Sequence, residues 1–193
     1  MTSYKIAILV GSLRKDSLNR KVAQSLCAFA GERLNCDIVD IGHLPLYNQD
    51  SDANPPPEYV AYRDELARAE GILFVTPEYN RGMTGVLKNA IDVGSRPYGK
   101  SVFNQKPAAI VSASPGSIGG ALANHQVRQS CVFLNMPVMQ HPEAYLGRVS
   151  DDSFDEDGCL NEGPLKELII SLATAFGDWV HLISESRRLL AAR

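Results

Sequence analysis

Apolar positions along this chain follow two rhythms that alternate. Tyr4 to Val10 is an apolar run of strand length, interrupted only by Lys5 and ended by Gly11. Continuous rather than alternating apolarity suits a strand covered on both faces, as in a parallel sheet. From Ser17 the period lengthens: Leu18, Val22, Leu26 and Ala30 recur at helical spacing, with Asp16 or Ser17 available as the N-cap. Cys36 to Ile41 predicts a second strand. The stretch HLPLYNQDSDANPPP then predicts a loop, because proline does not fit a helix interior. Glu58 to Ala69 predicts a helix and Gly71 to Val75 a third buried strand. The loop TPEYNRGMT and a helix over roughly Gly85 to Val93 follow.

Pro107 to Ala113 predicts a fourth strand, then come the small-residue loop SPGSIGG and a helix marked by Ala123, Val127, Cys131 and Leu134. Pro137 to Gln140 predicts a fifth strand. After the acidic loop SDDSFDEDGCLNEG, Pro164 opens a last helix, a favoured first-turn position for proline. Its apolar face is Leu165, Leu168, Ile169, Leu172, Phe176, Trp179, Val180 and Ile183, a sustained 3.6-residue period. Five strands alternating with five helices imply an α/β chain with an open parallel sheet. In such sheets ligands bind beyond the carboxyl ends of the strands. The loops after strands one, three and four should therefore meet at one edge.

Composition narrows the picture modestly. At 193 residues, 45% hydrophobic and 21% charged, the chain supports a single domain with a substantial core. A net charge of -3 gives no basic footprint for nucleic acid. No apolar run approaches the roughly 20 residues that span a bilayer, and the N-terminus lacks the basic leader of a signal peptide. Cys27, Cys36, Cys131 and Cys159 form no CxxC pair; Cys27 and Cys131 fall in helical patterns, where cysteine behaves as a small hydrophobe. A reduced, cytoplasmic protein is expected. His43, His125, His141 and His181 show no metal spacing, and the acidic stretch before Gly158 fails the EF-hand register. No metal site is expected.

The chemistry sits in the loops. GSLRKDSLN, residues 11–19, runs from the first strand into a helix N-terminus, where exposed N–H groups and the helix dipole attract an anion. Ser12, Ser17 and Asn19 add directed donors, and Arg14 can hold two phosphate oxygens at once. The loop matches neither GxxxxGK[ST] nor GxGxxG, which argues for a phosphomonoester rather than a Mg-NTP or dinucleotide. Gly11 and Ser12 stand where a response regulator needs carboxylates for Mg²⁺. Taken alone, the loop is explained equally well as a polar strand-to-helix turn. After the third strand, PEYN places the aromatic face of Tyr79 beside Asn80 and backbone amides that suit the edge of a flat heterocycle.

GSLRKDSLN, PEYN with the following GVLKNAID and SRP, and the small-residue loop after strand four together resemble the NADPH-dependent FMN reductases. These include bacterial quinone, chromate and azo-dye reductases, and the similarity runs through TAFGDW of the last helix. The resemblance implies a flavodoxin-like three-layer sandwich with strand order 2-1-3-4-5, a bound FMN and NAD(P)H as co-substrate. It assigns Ser12, Arg14, Ser17 and Asn19 to the FMN phosphate, with Leu18 in the same cofactor-binding set. Pro77, Glu78, Tyr79 and Asn80 would line the isoalloxazine ring, with Ser112 at the end of strand four; Ser114 and Gly116 are further candidates. Hydride would pass from NAD(P)H to the flavin and on to a quinone or similar acceptor in ping-pong fashion. No side-chain nucleophile is required, since the cofactor carries the chemistry.

Arg81, Arg96 and Lys100 are candidate contacts to the nicotinamide cofactor, although surface ion pairing is the plainer role of each. Family members are commonly dimers or tetramers. The stripe Val86, Leu87, Ala90 and Ile91 either joins such an interface or packs on the sheet. A flavodoxin-like electron carrier, binding FMN without turning over a substrate, is the alternative. Carriers of that kind tend to be strongly acidic and to enclose the flavin between two aromatics, which this chain does not match. An FMN-bearing regulatory module is a third reading.

Overall fold

The computed structural model describes residues 3–191. Strands β1 (Tyr4–Val10), β2 (Leu34–Val39), β3 (Gly71–Thr76), β4 (Ala108–Ala113) and β5 (Ala144–Leu146) form one sheet in the order β2-β1-β3-β4-β5. Every pairing is parallel; Ile8, for example, lies level with Ile38 on one side and Leu73 on the other. Helices α1 (Leu18–Phe29), α2 (Pro57–Ala67), α3 (Gly85–Gly94), α4 (Ala121–Phe133) and α5 (Pro164–Ala191) cover the two faces.

The apolar strands divide their residues between two cores. Ile6, Ile8 and Val10 of β1 face Val22 and Leu26 of α1 and Ile169, Leu172 and Phe176 of α5. Ala7 and Leu9, the intervening residues, face the opposite core with Tyr62 and Leu66 of α2, Leu87 and Ile91 of α3, and Val127 of α4. Both sides of each central strand are thus dry, which is why these strands read as continuous rather than alternating apolar runs. Each Leu, Ile or Val fully buried this way contributes about 1.5–3 kcal/mol. Cys131 lies inside the second core, and burial pushes its thiol up to about 12.

The expected fold class and strand order stand, with local corrections. Strand β2 begins at Leu34, two residues earlier than expected, because Leu34 and Asn35 pair with Tyr4 and Lys5. The fifth strand is Ala144–Leu146 rather than Pro137–Gln140. Val138 makes one isolated parallel bridge to Ala108, and the chain leaves the sheet before β5 pairs with Val111–Ala113. Pro142 falls in the break and has no N–H to offer a ladder. Of the α3 stripe, Leu87, Ala90 and Ile91 pack on the chain's own sheet.

Helix α5 also departs from expectation. Over Pro164–Leu190 it is long and apolar enough to cross a bilayer by length and composition, with a mean hydropathy of 1.2. Its Ile169, Leu172, Ala173, Phe176 and Val180 are nevertheless buried against the sheet, and Trp179 Nε1 donates to the Pro137 carbonyl at 2.8 Å.

Candidate functional site

The loops after β1, β3 and β4 converge at the carboxyl edge of the sheet. Gly11 closes β1, its N–H donating to the Val75 carbonyl at 2.8 Å while its carbonyl accepts from Thr84 Oγ1, also at 2.8 Å. A Cβ here would lie 2.9 Å from Thr76 Oγ1 and 3.0 Å from Thr84 Oγ1, so packing demands glycine. Ser17 then caps α1: its backbone is extended and its Oγ accepts from the Arg20 N–H at 3.2 Å. The N–H of Lys21 bonds the Ser17 carbonyl. That leaves the amides of Leu18 and Asn19, which have no intrahelical partner, open at the helix start.

Ser12 and Ser17 are buried beside them, and Asn19 is only 4% exposed. Asn19 Nδ2 donates to the Ala113 carbonyl at 3.1 Å, tying α1 to the end of β4, whereas its Oδ1 is buried with no partner. An unsatisfied buried acceptor costs about 1–3 kcal/mol, so this oxygen is poised for an incoming donor. Arg14 reaches the same cavity. Close by, the Lys21 ammonium bonds Asp151 at 2.8 Å and, with a smaller contribution from Arg14, holds that carboxyl below the usual range.

Across the cavity, Tyr79 and Gly82 exchange two backbone hydrogen bonds of 3.0 Å around Asn80 and Arg81. Both central residues have positive φ, 51° and 65°, as a tight primed turn requires. Tyr79, 54% exposed, presents its ring at the cavity mouth. Glu78 turns its carboxylate away toward α4, where Oε2 accepts from the amides of Leu122 and Ala123 at 2.9 and 3.2 Å. The third wall is Ala113, Ser114 and Pro115.

The cavity these walls enclose measures about 100 Å³. It can receive the phosphate end of a mononucleotide, leaving any ring system outside against Tyr79. A larger cavity of about 750 Å³ lies between Glu70, Lys106 and Arg187. Lys106 there is already engaged by the carbonyls of Ala67 and Ala69, and burial lowers its ammonium to about 8.

The family model for NADPH-dependent FMN reductase matches residues 4–151, which contain all three loops. The chain belongs to the NADPH-dependent FMN reductase family. A quinone reductase of Pseudomonas putida is 54% identical over 180 residues, covering 93% of this chain and 96% of that protein. A 2-hydroxy-1,4-benzoquinone reductase from a Burkholderia species is 42% identical, covering 92% and 97%. Among solved structures, FerB of Paracoccus denitrificans, a flavoenzyme NAD(P)H:(acceptor) oxidoreductase, superposes with a TM-score of 0.87 at 37% identity, covering 92% of this chain and 97% of that one.

The residues present fit the FMN of this reductase family. Open amides, two buried hydroxyls and a guanidinium suit the phosphate, and the orphaned Asn19 Oδ1 suits a ribityl hydroxyl, which can donate where a phosphate dianion cannot. The structure brings together Ser12, Arg14, Ser17, Leu18, Asn19, Pro77, Glu78 and Tyr79 around one cavity. Asn80 sits at the turn apex beside it, but Ser112 does not reach it. The Ser112 side chain is fully buried within β4, in weak contact with Asn124 Nδ2 and the Ala144 carbonyl at 3.5 Å. Ala113 and Pro115 also line the cavity, although small residues after a strand carry little chemical signal in the sequence. Of the candidate cations, Arg81 lies 3.6 Å from Glu78 and the Arg96 guanidinium sits over the Tyr47 ring at 5.9 Å; neither they nor Lys100 line the cavity.

Proposed function

We infer that this protein is an FMN-dependent NAD(P)H oxidoreductase that delivers two electrons to quinones or similar small acceptors. The observation that carries this reading is the pairing across one cavity of an open, cation-bearing helix start with an exposed aromatic turn. FMN, when bound, supplies the two-electron chemistry, and no side-chain nucleophile is needed. Arg14, Ser12, Ser17 and the amides of Leu18 and Asn19 would hold the phosphate by charge-assisted and ordinary hydrogen bonds. Pro77, Tyr79 and Asn80 would border the ring, and NAD(P)H and then the acceptor would use it in turn. The relatives named as quinone reductases support the choice of acceptor; chromate and azo compounds fit as incidental acceptors. The reading also takes the chain as a single FMN-binding unit acting in the cytoplasm as a homodimer or homotetramer.

The decisive experiment starts from the purified, FMN-loaded protein under anaerobic conditions. NADPH should bleach the flavin absorbance within seconds, and added benzoquinone should restore it. A flavin that NADPH and NADH both fail to reduce would overturn the reading in favour of an electron carrier.

A further inference from the structure

Helix α4 begins without a cap of its own. Its N-cap position is Gly120, in left-handed backbone with φ of 73° and no side chain to accept from the first turn. The missing acceptor comes from Glu78, 44 residues earlier in sequence, whose Oε2 takes both the Leu122 and Ala123 amides. Glu78 immediately precedes the exposed Tyr79. The same turn is held a second time, from the other direction: Gln126 of α4 accepts from the Met83 N–H at 2.6 Å. The approach is close, since a Cβ on Gly82 would lie 2.8 Å from Gln126 Oε1. Two side-chain-to-backbone bridges, one from each partner, thus clamp the tyrosine turn onto α4.

We propose that Glu78 is a positioning residue. Its carboxylate locks the tyrosine turn to α4 and occupies the α4 N-terminus, so that this second dipole end is closed to anions and a fixed negative charge stands beside the ring site. The chemistry supports both halves. A carboxylate accepting two amides at a helix start satisfies groups that would otherwise stay open and complements the positive end of the dipole. Arg81 Nη1, 3.6 Å from Glu78 Oε1 and largely exposed, is the one cation paired with it among the described residues. The ring placement rests on the function inferred above; the clamp itself does not.

The test compares Glu78→Gln, Glu78→Ala and Gln126→Ala with the parent protein. In the apoprotein, hydrogen exchange at the Leu122 and Ala123 amides should quicken at least tenfold in Glu78→Ala. Glu78→Gln keeps an acceptor oxygen and should stay near the parent rate. With FMN bound, Glu78→Ala and Gln126→Ala should each weaken retention about tenfold, and Glu78→Gln should restore most of it. Glu78→Gln should also raise the flavin's two-electron midpoint potential, because removing a negative charge favours the reduced form; a tenfold change in that equilibrium is about 30 mV. Unchanged amide exchange in Glu78→Ala would overturn the clamp, and an unchanged potential in Glu78→Gln would overturn the charge role. If the parent protein bound no FMN, the function would fail while the exchange measurement still decided the clamp.

Discussion

Helices α1 and α4 both start at the carboxyl edge of the sheet, α1 lining the cavity and α4 joined to it through Glu78, yet their first turns are completed in opposite ways. Helix α1 carries its own cap in Ser17, which takes only the Arg20 amide; the amides of Leu18 and Asn19 stay open next to Arg14. Helix α4 lacks a capping side chain, and its amides are taken by Glu78. Any parallel α/β sheet aims several helix dipoles at this edge. The contrast teaches that side-chain chemistry, rather than backbone geometry, decides which dipole is offered to a ligand. A neutral hydroxyl leaves an anion site open, and a carboxylate fills one.

The strongest way to break the contrast is to give α1 what α4 has. Ser12→Asp puts a carboxylate into the buried end of the cavity proposed for the phosphate, where like-charge juxtaposition costs several kcal/mol. FMN affinity measured by fluorescence quenching should fall at least a hundredfold, with the apoprotein still folded by circular dichroism. Arg14→Ala removes the cation and should weaken FMN retention by about 1.5–3 kcal/mol, as expected for a charge-assisted hydrogen bond; unchanged retention would remove Arg14 from the site. Ser17→Ala removes the α1 cap and should cost about 1 kcal/mol of apoprotein stability in urea melts. The loss should appear without FMN, separating the capping role from the binding role.

The smallest effect concerns Asp151, held below its ordinary range by Lys21. Because its folded pKa is depressed, the pair stabilises the fold above the ordinary carboxylate pKa and ceases to do so as pH falls through the lower, folded value. The stability difference between parent and Lys21→Met should therefore be present at neutral pH and vanish on acidification.

Much of this was legible in the sequence, for identifiable reasons. β1, β3 and β4 announce themselves because residues such as Ile8, Leu73 and Ile110 have dry neighbours on both sides. The loop after β1 is readable because Ser17 must be polar to cap and Gly11 must be small to pass Thr76 and Thr84. β5 was misplaced because three residues, AYL, give no period to detect, while PVMQ is apolar enough to imitate a strand and makes only one bridge. Ser112 lies inside β4 rather than at the cavity, because strand-end position does not reveal which face a side chain takes. Glu78 stands in a loop the sequence marks, but its partnership with α4 joins residues far apart in sequence and follows no local pattern.

The hydrogen bond from Thr84 Oγ1 to the Gly11 carbonyl has a metric consequence. It fastens the exit of the first strand to Thr84, two residues beyond the Tyr79–Gly82 turn, so the open start of α1 and the aromatic turn stand a set distance apart. Such an arrangement works as a ruler. A ligand whose anionic tail and flat head are joined by a linker of matching length touches both ends, and a shorter or longer one must give up one of them.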